Sequence, residues 1–108
     1  MTFTVLISTP DKIFYNGLAD SVVCPEPEGY FGVLARHAQM VAAVGTGIIK
    51  VSLATETKLI VVDGGVAEVT PEATVILADF AILATDPADA EEKLAEAIAR
   101  RVAPVYLH

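Results

Sequence analysis

Three side chains of this 108-residue chain have reactivity of their own to offer: Cys24, His37 and His108. The two histidines are far apart in sequence and have no acids at ligand spacing, so they nominate no metal site. Cys24 follows Val22-Val23 and reads as a small buried hydrophobe. As the only cysteine it can form no intrachain disulfide, which fits a reducing compartment. Glu26 and Glu28 flank Pro27. They can form a carboxylate pair, but a solvated turn is the simpler reading. The run GTGIIKVS contains glycines, a lysine and a serine at the wrong spacing for a phosphate loop, and it alternates like a strand. There is no GxGxxG. A Ser-His-Asp constellation would have to be assembled in space, and nothing in the sequence supports one locally. No catalytic, cofactor-binding or metal-binding residue is therefore assigned, and the sequence does not indicate an enzyme.

One stretch is unlike ordinary core. GYFGVLARHAQM, residues 29–40, sets two aromatics between glycines, adds Val33 and Leu34, and ends with Arg36 beside His37. Two readings stand side by side. Phe31, Val33 and Leu34 can plug the end of a β domain. Alternatively the stretch is an apolar loop on a rigid sheet scaffold, the usual setting of an interface. His37 either bonds nearby backbone or titrates at a contact.

Fourteen acids against seven bases give a net charge of −7. The bases are scattered, with no stripe to neutralise phosphates, so nucleic acid is not expected as a partner. An acidic chain also repels anionic lipid headgroups. The longest purely apolar run is five residues, far below the roughly 20 that a membrane-spanning helix needs. No direct membrane insertion is expected, and the N-terminus lacks the pattern of a targeting peptide. A chain of this length can bury roughly 65% of its unfolded surface, enough to fold without metal or disulfide.

Residues 1–84 read as β. FTVLIST is stopped by Pro10-Asp11. KIFY and ADSVVCP flank an Asn16-Gly17 turn signal. GIIKVSL alternates, with Ile48, Lys50 and Ser52 opposite Gly47, Ile49, Val51 and Leu53. Thr55-Glu56-Thr57 and Asp63-Gly64-Gly65 read as turns on either side of KLIVV, and VAEVTP and ATVILADFAI complete the set. Frequent turns and Val/Ile enrichment predict a sandwich or flattened barrel. Residues 85–108 form a second unit, a short helix and tail. Asp86 is the expected N-cap and Pro87 the first helical residue. Acids cluster near the start, Arg100 and Arg101 near the end. Ala90, Leu94, Ala97 and Ile98 make a narrow apolar stripe, and Pro104 ends the helix. A single helix of this length is marginal in water and needs a surface to lie on, for which the sandwich is the nearest candidate.

Two ordered segments carry a resemblance. FTVLISTPDKIFYNGLADSVVCPEPEGYFGVLARHAQMVAAVGTGIIKV resembles the opening of the epsilon subunits of F-type ATP synthases, with its G-x-x-G-x-L-x-x-H-A signature. VVDGGVAEVTPEATVILADFAI resembles their second signature, a double glycine followed by E-V and a strand ending in L-A-D. The similarity covers residues 2 to about 98. It implies a mainly β fold, a ten-stranded β-sandwich or flattened barrel, here with a short C-terminal helix. It also implies a non-catalytic rotor subunit, which couples rotation of the central stalk to proton or sodium flow through the membrane sector. The implied partners are the gamma subunit and the membrane rotor ring. The implied location is the cytoplasmic face of a bacterial-type cell membrane, peripheral through the complex. Docking to stalk and ring would fall to Glu28, Tyr30, Phe31, Val33, Leu34, Arg36, His37 and Met40.

Departures from the family pattern bear on these expectations. Many members carry an acid between the two glycines and Pro-Gly before the histidine, where this chain has Tyr30 and Ala35-Arg36. A carboxylate contact with the ring would then come from Glu28 or Glu26. The family's usual C-terminus is a hairpin of two long helices, and this sequence has room for one helix and the tail VAPVYLH. An inhibitory hairpin is not expected. Some members bind ATP between those helices through an acid followed by Arg-Ala. DPADAEEKL carries Glu91 or Glu92 where the arginine would fall, so no regulatory ATP site and no cofactor are expected. Two further readings remain: a free-standing β-sandwich that binds a ligand or protein, and a small hydrolase using His37.

Overall fold

Apolar residues recur at every second position through much of the first 84 residues, and the chain folds there as strands. The structure, a computed structural model, describes residues 1–102. Pro104, His108 and the rest of the tail beyond Val102 lie outside the described residues, as do the side chains of Arg101 and Val102. The strands are β1 (Phe3–Ser8), β2 (Ile13–Ala19), β3 (Ser21–Glu26), β4 (Gly29–Leu34), β5 (Met40–Leu53), β6 (Glu56–Val69), β7 (Ala73–Ala78) and β8 (Ala81–Ala84). One helix, α1 (Pro87–Val102), follows.

The strands pair in the order β2-β1-β7-β6-β5-β3-β4, with β8 also on β6. β5 and β6 have 14 residues each, and each serves both layers of the sandwich. Met40–Val44 pairs with Gly65–Val69, and this half joins β7, β1 and β2. Thr46–Leu53 pairs with Glu56–Asp63, and this half joins β3 and β4 on one side and β8 on the other. Between the layers lies one core that includes Phe3, Val5, Ile7, Ile49, Val51, Ile60, Val62 and Ile76.

The described residues form eight strands where the sequence reading expected ten. The two long strands account for the difference, because each half of β5 and β6 occupies a place in a separate layer. Asp63-Gly64-Gly65, expected to be a turn, is a bend inside β6. Gly64 takes φ 87° and Gly65 φ 140°, values that glycine adopts without steric cost. The ladder therefore skips Gly64 and Gly45 and resumes beyond them. Gly45 is required for a different reason. Its backbone passes so close to the tip of the β3–β4 hairpin that any Cβ would strike the Glu26 carbonyl. The turn expected at Thr55-Glu56-Thr57 lies earlier, at Ala54-Thr55, between the paired Leu53 and Glu56. Ala54 takes φ 52° there, and its amide donates to Asp20 Oδ2 at 2.7 Å. A side chain distant in sequence thus anchors the turn.

The alternation of GIIKVSL is as expected: Gly47, Ile49 and Val51 are buried, and Lys50 faces water. Thr74 is the exception inside. It is buried, and its hydroxyl has no hydrogen-bond partner among the described residues. Thr74→Val keeps the shape and removes the unpaired polar group. It is expected to raise stability by about 1 kcal/mol, read as a higher urea midpoint at unchanged slope. A lower midpoint would mean that the hydroxyl is bonded in solution.

The helix starts where Asp86-Pro87 places it. Asp86 Oδ1 accepts the Asp89 amide at 2.8 Å. The Asp89 carboxylate accepts from the Thr85 amide at 2.8 Å and hydroxyl at 3.1 Å, and from Lys93 Nζ at 2.8 Å. These donors, Lys93 first, hold the Asp89 carboxyl below its usual range. Ala90, Leu94 and Ala97 pack on the outer face of the second layer, against Val61, Ala84, Ile48, Leu59, Phe80 and Ile82. The sandwich is thus the surface that the marginal helix needs. Ile98, expected in the stripe, is 41% exposed. One residue past Ala97 turns it about 100° around the axis and off the contact. Arg100 stacks on Phe80 at 4.0 Å.

Candidate functional site

The GYFGVL segment, expected to be a loop, is the edge strand β4, bonded only to β3. Its two glycines fall on opposite faces, Gly29 with Phe31 and Val33 and Gly32 with Tyr30 and Leu34, and each blanks one position of its face, which hid the period of two. The register runs from Ser21↔Leu34 to Glu26↔Gly29, which makes Pro27-Glu28 the hairpin tip. Along this strand the two readings of the sequence separate by parity. Val33 is 1% exposed and belongs to the core, so it offers no docking surface. Phe31, Ala35 and Met40 are partly buried against the same core. Leu34 is 65% exposed, and Tyr30, Glu28 and Arg36 also face water.

Beyond β4 the chain reverses in a turn closed by the His37 amide donating to the Leu34 carbonyl at 3.2 Å. Arg36 sits in it with φ 63°, the left-handed conformation that glycine most readily takes at the third position of such a turn. Its amide donates to Pro71 O at 3.0 Å, which ties this turn to the one between β6 and β7. His37 is half-buried, and its Nδ1 lies 2.7 Å from the Ala38 carbonyl. Its ring is thus engaged with local backbone. The candidate residues do not meet at one point. They run along an edge, from Glu28 at the hairpin tip to Arg36 and His37 at the far end, a strand length of roughly 20 Å.

Cys24 is fully buried, and desolvation, with Glu26 adding to it, pushes its thiol up to about 12. It is packing, not a nucleophile. No cluster of metal-ligating side chains occurs among the described residues. A groove of about 520 Å³ lies beside the start of α1, lined by Ile48, Leu59, Pro87 and Ala90 with Lys50 and Glu91.

A second surface was missed by the sequence reading. On the outer face of the first layer, the pairings align Leu6, Val75, Glu68 and Val41 in one row. Leu77 and Val66 form the next row. Leu18, Val41, Val66 and Leu77 are all large, apolar and exposed. α1 covers the second layer, so no described element lies over this face. The signal was present in ATVILA, which is apolar at nearly every position. A strand apolar on both faces is a strand covered on both.

Residues 2–84 match the family model described as ATP synthase, Delta/Epsilon chain, beta-sandwich domain. The ATP synthase epsilon chain of Leptospira borgpetersenii serovar Hardjo-bovis is 38% identical over 100 residues, covering 93% of this chain and 79% of the relative. The epsilon chain of Rhodopseudomonas palustris strain TIE-1 is 41% identical over 85 residues, covering 79% of this chain and 63% of the relative. Among these relatives, then, the chain spans between 63% and 79% of their length. A chain in the cryo-EM structure of the Euglena gracilis mitochondrial ATP synthase OSCP/F1/c-ring superposes with a TM-score of 0.73 at 24% identity. That match covers 94% of this chain and 64% of the Euglena chain, and it shows a shared fold. A β-sandwich of this topology, a double glycine bending one of its two longest strands and an epsilon-type sequence over most of its length place the chain in the delta/epsilon family of ATP synthase subunits.

Proposed function

We propose that the chain is the non-catalytic epsilon-type subunit of the central stalk of an F-type ATP synthase. It couples rotation of the stalk to proton or sodium flow while catalysis occurs on other chains. The outer face of the first layer seats a gamma-type subunit, and the exposed side of β4 with its hairpin tip stands toward the membrane rotor ring. The observation that carries this reading is the uncovered apolar face on a sandwich whose opposite face is already occupied by α1. Family membership supports it. No described helix is long and apolar enough to cross a membrane. In this reading attachment is through the complex, on the cytoplasmic side, with no cofactor and no regulatory ATP.

A rigid sandwich with two contact surfaces performs this role mechanically, by fixing the angular position of one partner relative to the other. Membranes depleted of their own epsilon-type subunit provide the test. Adding the purified full chain is expected to restore ATP-driven ion pumping, while the chain alone hydrolyses no ATP. Tight binding without recovered pumping would overturn the coupling role, and hydrolysis by the chain alone would overturn the non-catalytic assignment.

A further inference from the structure

The first-layer face carries one charge that an apolar docking surface does not need. Glu68 is exposed on β6, paired with Val41 on β5 and with Val75 on β7, and Val66 lies two residues before it on the same face. Its row continues through Leu6. The carboxylate therefore stands inside the apolar field, with hydrophobic side chains on both flanks. No lysine or arginine occupies these rows, and among the described residues Glu68 makes no ion pair.

A partner that covers the valines must take this carboxylate out of water with them. A lone buried carboxylate opposes binding more strongly than the surrounding apolar area favours it. A complementary surface must then bring a cation to that point. Arginine suits it best, because its planar fork reaches both carboxylate oxygens and it is less strongly hydrated than an ammonium group. A second copy of this chain does not qualify, since the same face would oppose one Glu68 with apolar side chains or with another carboxylate. We propose that Glu68 selects the stalk partner, accepting an arginine set within an otherwise apolar patch of that protein. This rests on the reading of the first-layer face as the docking surface.

Binding of the full chain to epsilon-depleted complex, measured at low and high salt, tests it. Glu68 is exposed in the free chain, so Glu68→Gln and Glu68→Lys are expected to keep the wild-type thermal midpoint. Glu68→Gln is expected to weaken binding roughly 30-fold, and Glu68→Lys more, as for loss of one member of a buried charge pair. Salt dependence should also be smaller for Glu68→Gln than for the wild type. Restoration of Glu68→Lys binding by an arginine-to-glutamate change in the partner would identify the matching residue. Leu77→Asp separates the inference from the reading beneath it. If Leu77→Asp abolishes binding while Glu68→Gln stays within about twofold of wild type, the face docks without a cation and the inference fails alone. If neither variant weakens binding, the face is not the docking surface and both fail. Concentration-dependent dimerisation through this face, lost in Leu77→Asp, would equally overturn the proposal.

Discussion

Gly65→Ala is expected to lower the stability of the chain by about 3 kcal/mol or more, a large part of the roughly 5–15 kcal/mol that holds a domain of this size folded. Two effects add. The native φ of 140° is one that a side-chain-bearing residue adopts only with strain. A Cβ at this position would also strike the Leu77 carbonyl and lie 2.8 Å from Ala78 Cα. Both obstacles are backbone, held by the pairing of Gly65 with Ala78 and Val66 with Leu77, so neither can move without breaking the ladder. Gly29→Ala is the control, because nothing lies within 4 Å of the added methyl. Equilibrium urea unfolding checks both. If Gly65→Ala falls within about 1 kcal/mol of Gly29→Ala, the bend in β6 does not depend on glycine and another feature directs it.

Two neighbouring residues provide the second large effect. Val33→Asp and Leu34→Asp introduce the same charge one position apart, on opposite faces of β4. Val33 pairs with the fully buried Val22. A carboxylate there has no described cation to meet, and the expected loss is of order 4 kcal/mol. Leu34 is 65% exposed, so Leu34→Asp is expected to change stability by no more than about 0.5 kcal/mol. If the exposed side of β4 docks, Leu34→Asp should instead weaken assembly by about 1–2 kcal/mol, roughly 5- to 30-fold. Circular dichroism melts and a reconstitution titration separate the outcomes. A Val33→Asp variant that loses less than about 1 kcal/mol of stability would contradict the core assignment. Normal assembly of Leu34→Asp would remove this edge from the interface.

The contrast between those two residues also marks how far the sequence could be read. Alternation in GIIKVSL and the Asp86-Pro87 helix start are local signals, and the structure follows both. Asp63-Gly64-Gly65 misled because the same residues that close a turn also permit a bend within a continuing strand. Which of the two occurs depends on Met40–Val44 lying alongside to prolong the ladder, a long-range pairing. In GYFGVL the glycines removed the side chains by which a period of two is recognised. Leu34 consequently could not be told from Val33. The first-layer face escaped notice for another reason. Leu18, Val41, Val66 and Leu77 come from four strands, and their adjacency exists only after the pairing order is known. The docking set taken from the sequence was therefore a contiguous segment, whereas the larger apolar surface is discontinuous.

The sharing of β5 and β6 between the layers has a mechanical consequence. Fourteen extended residues reach roughly 46 Å, close to the 50 Å long axis of the molecule. In a sandwich whose layers meet only through side chains, a sideways force can slide one sheet across the other. Here such sliding must bend two continuous backbones at once, at the crossing where Gly45 is wedged against Glu26 and Gly65 against Leu77. A torque entering through one layer reaches the other along covalent bonds instead of through packed methyl groups. The body resists shear as a braced frame does, and a part that turns between two partners loses little angle to its own deformation.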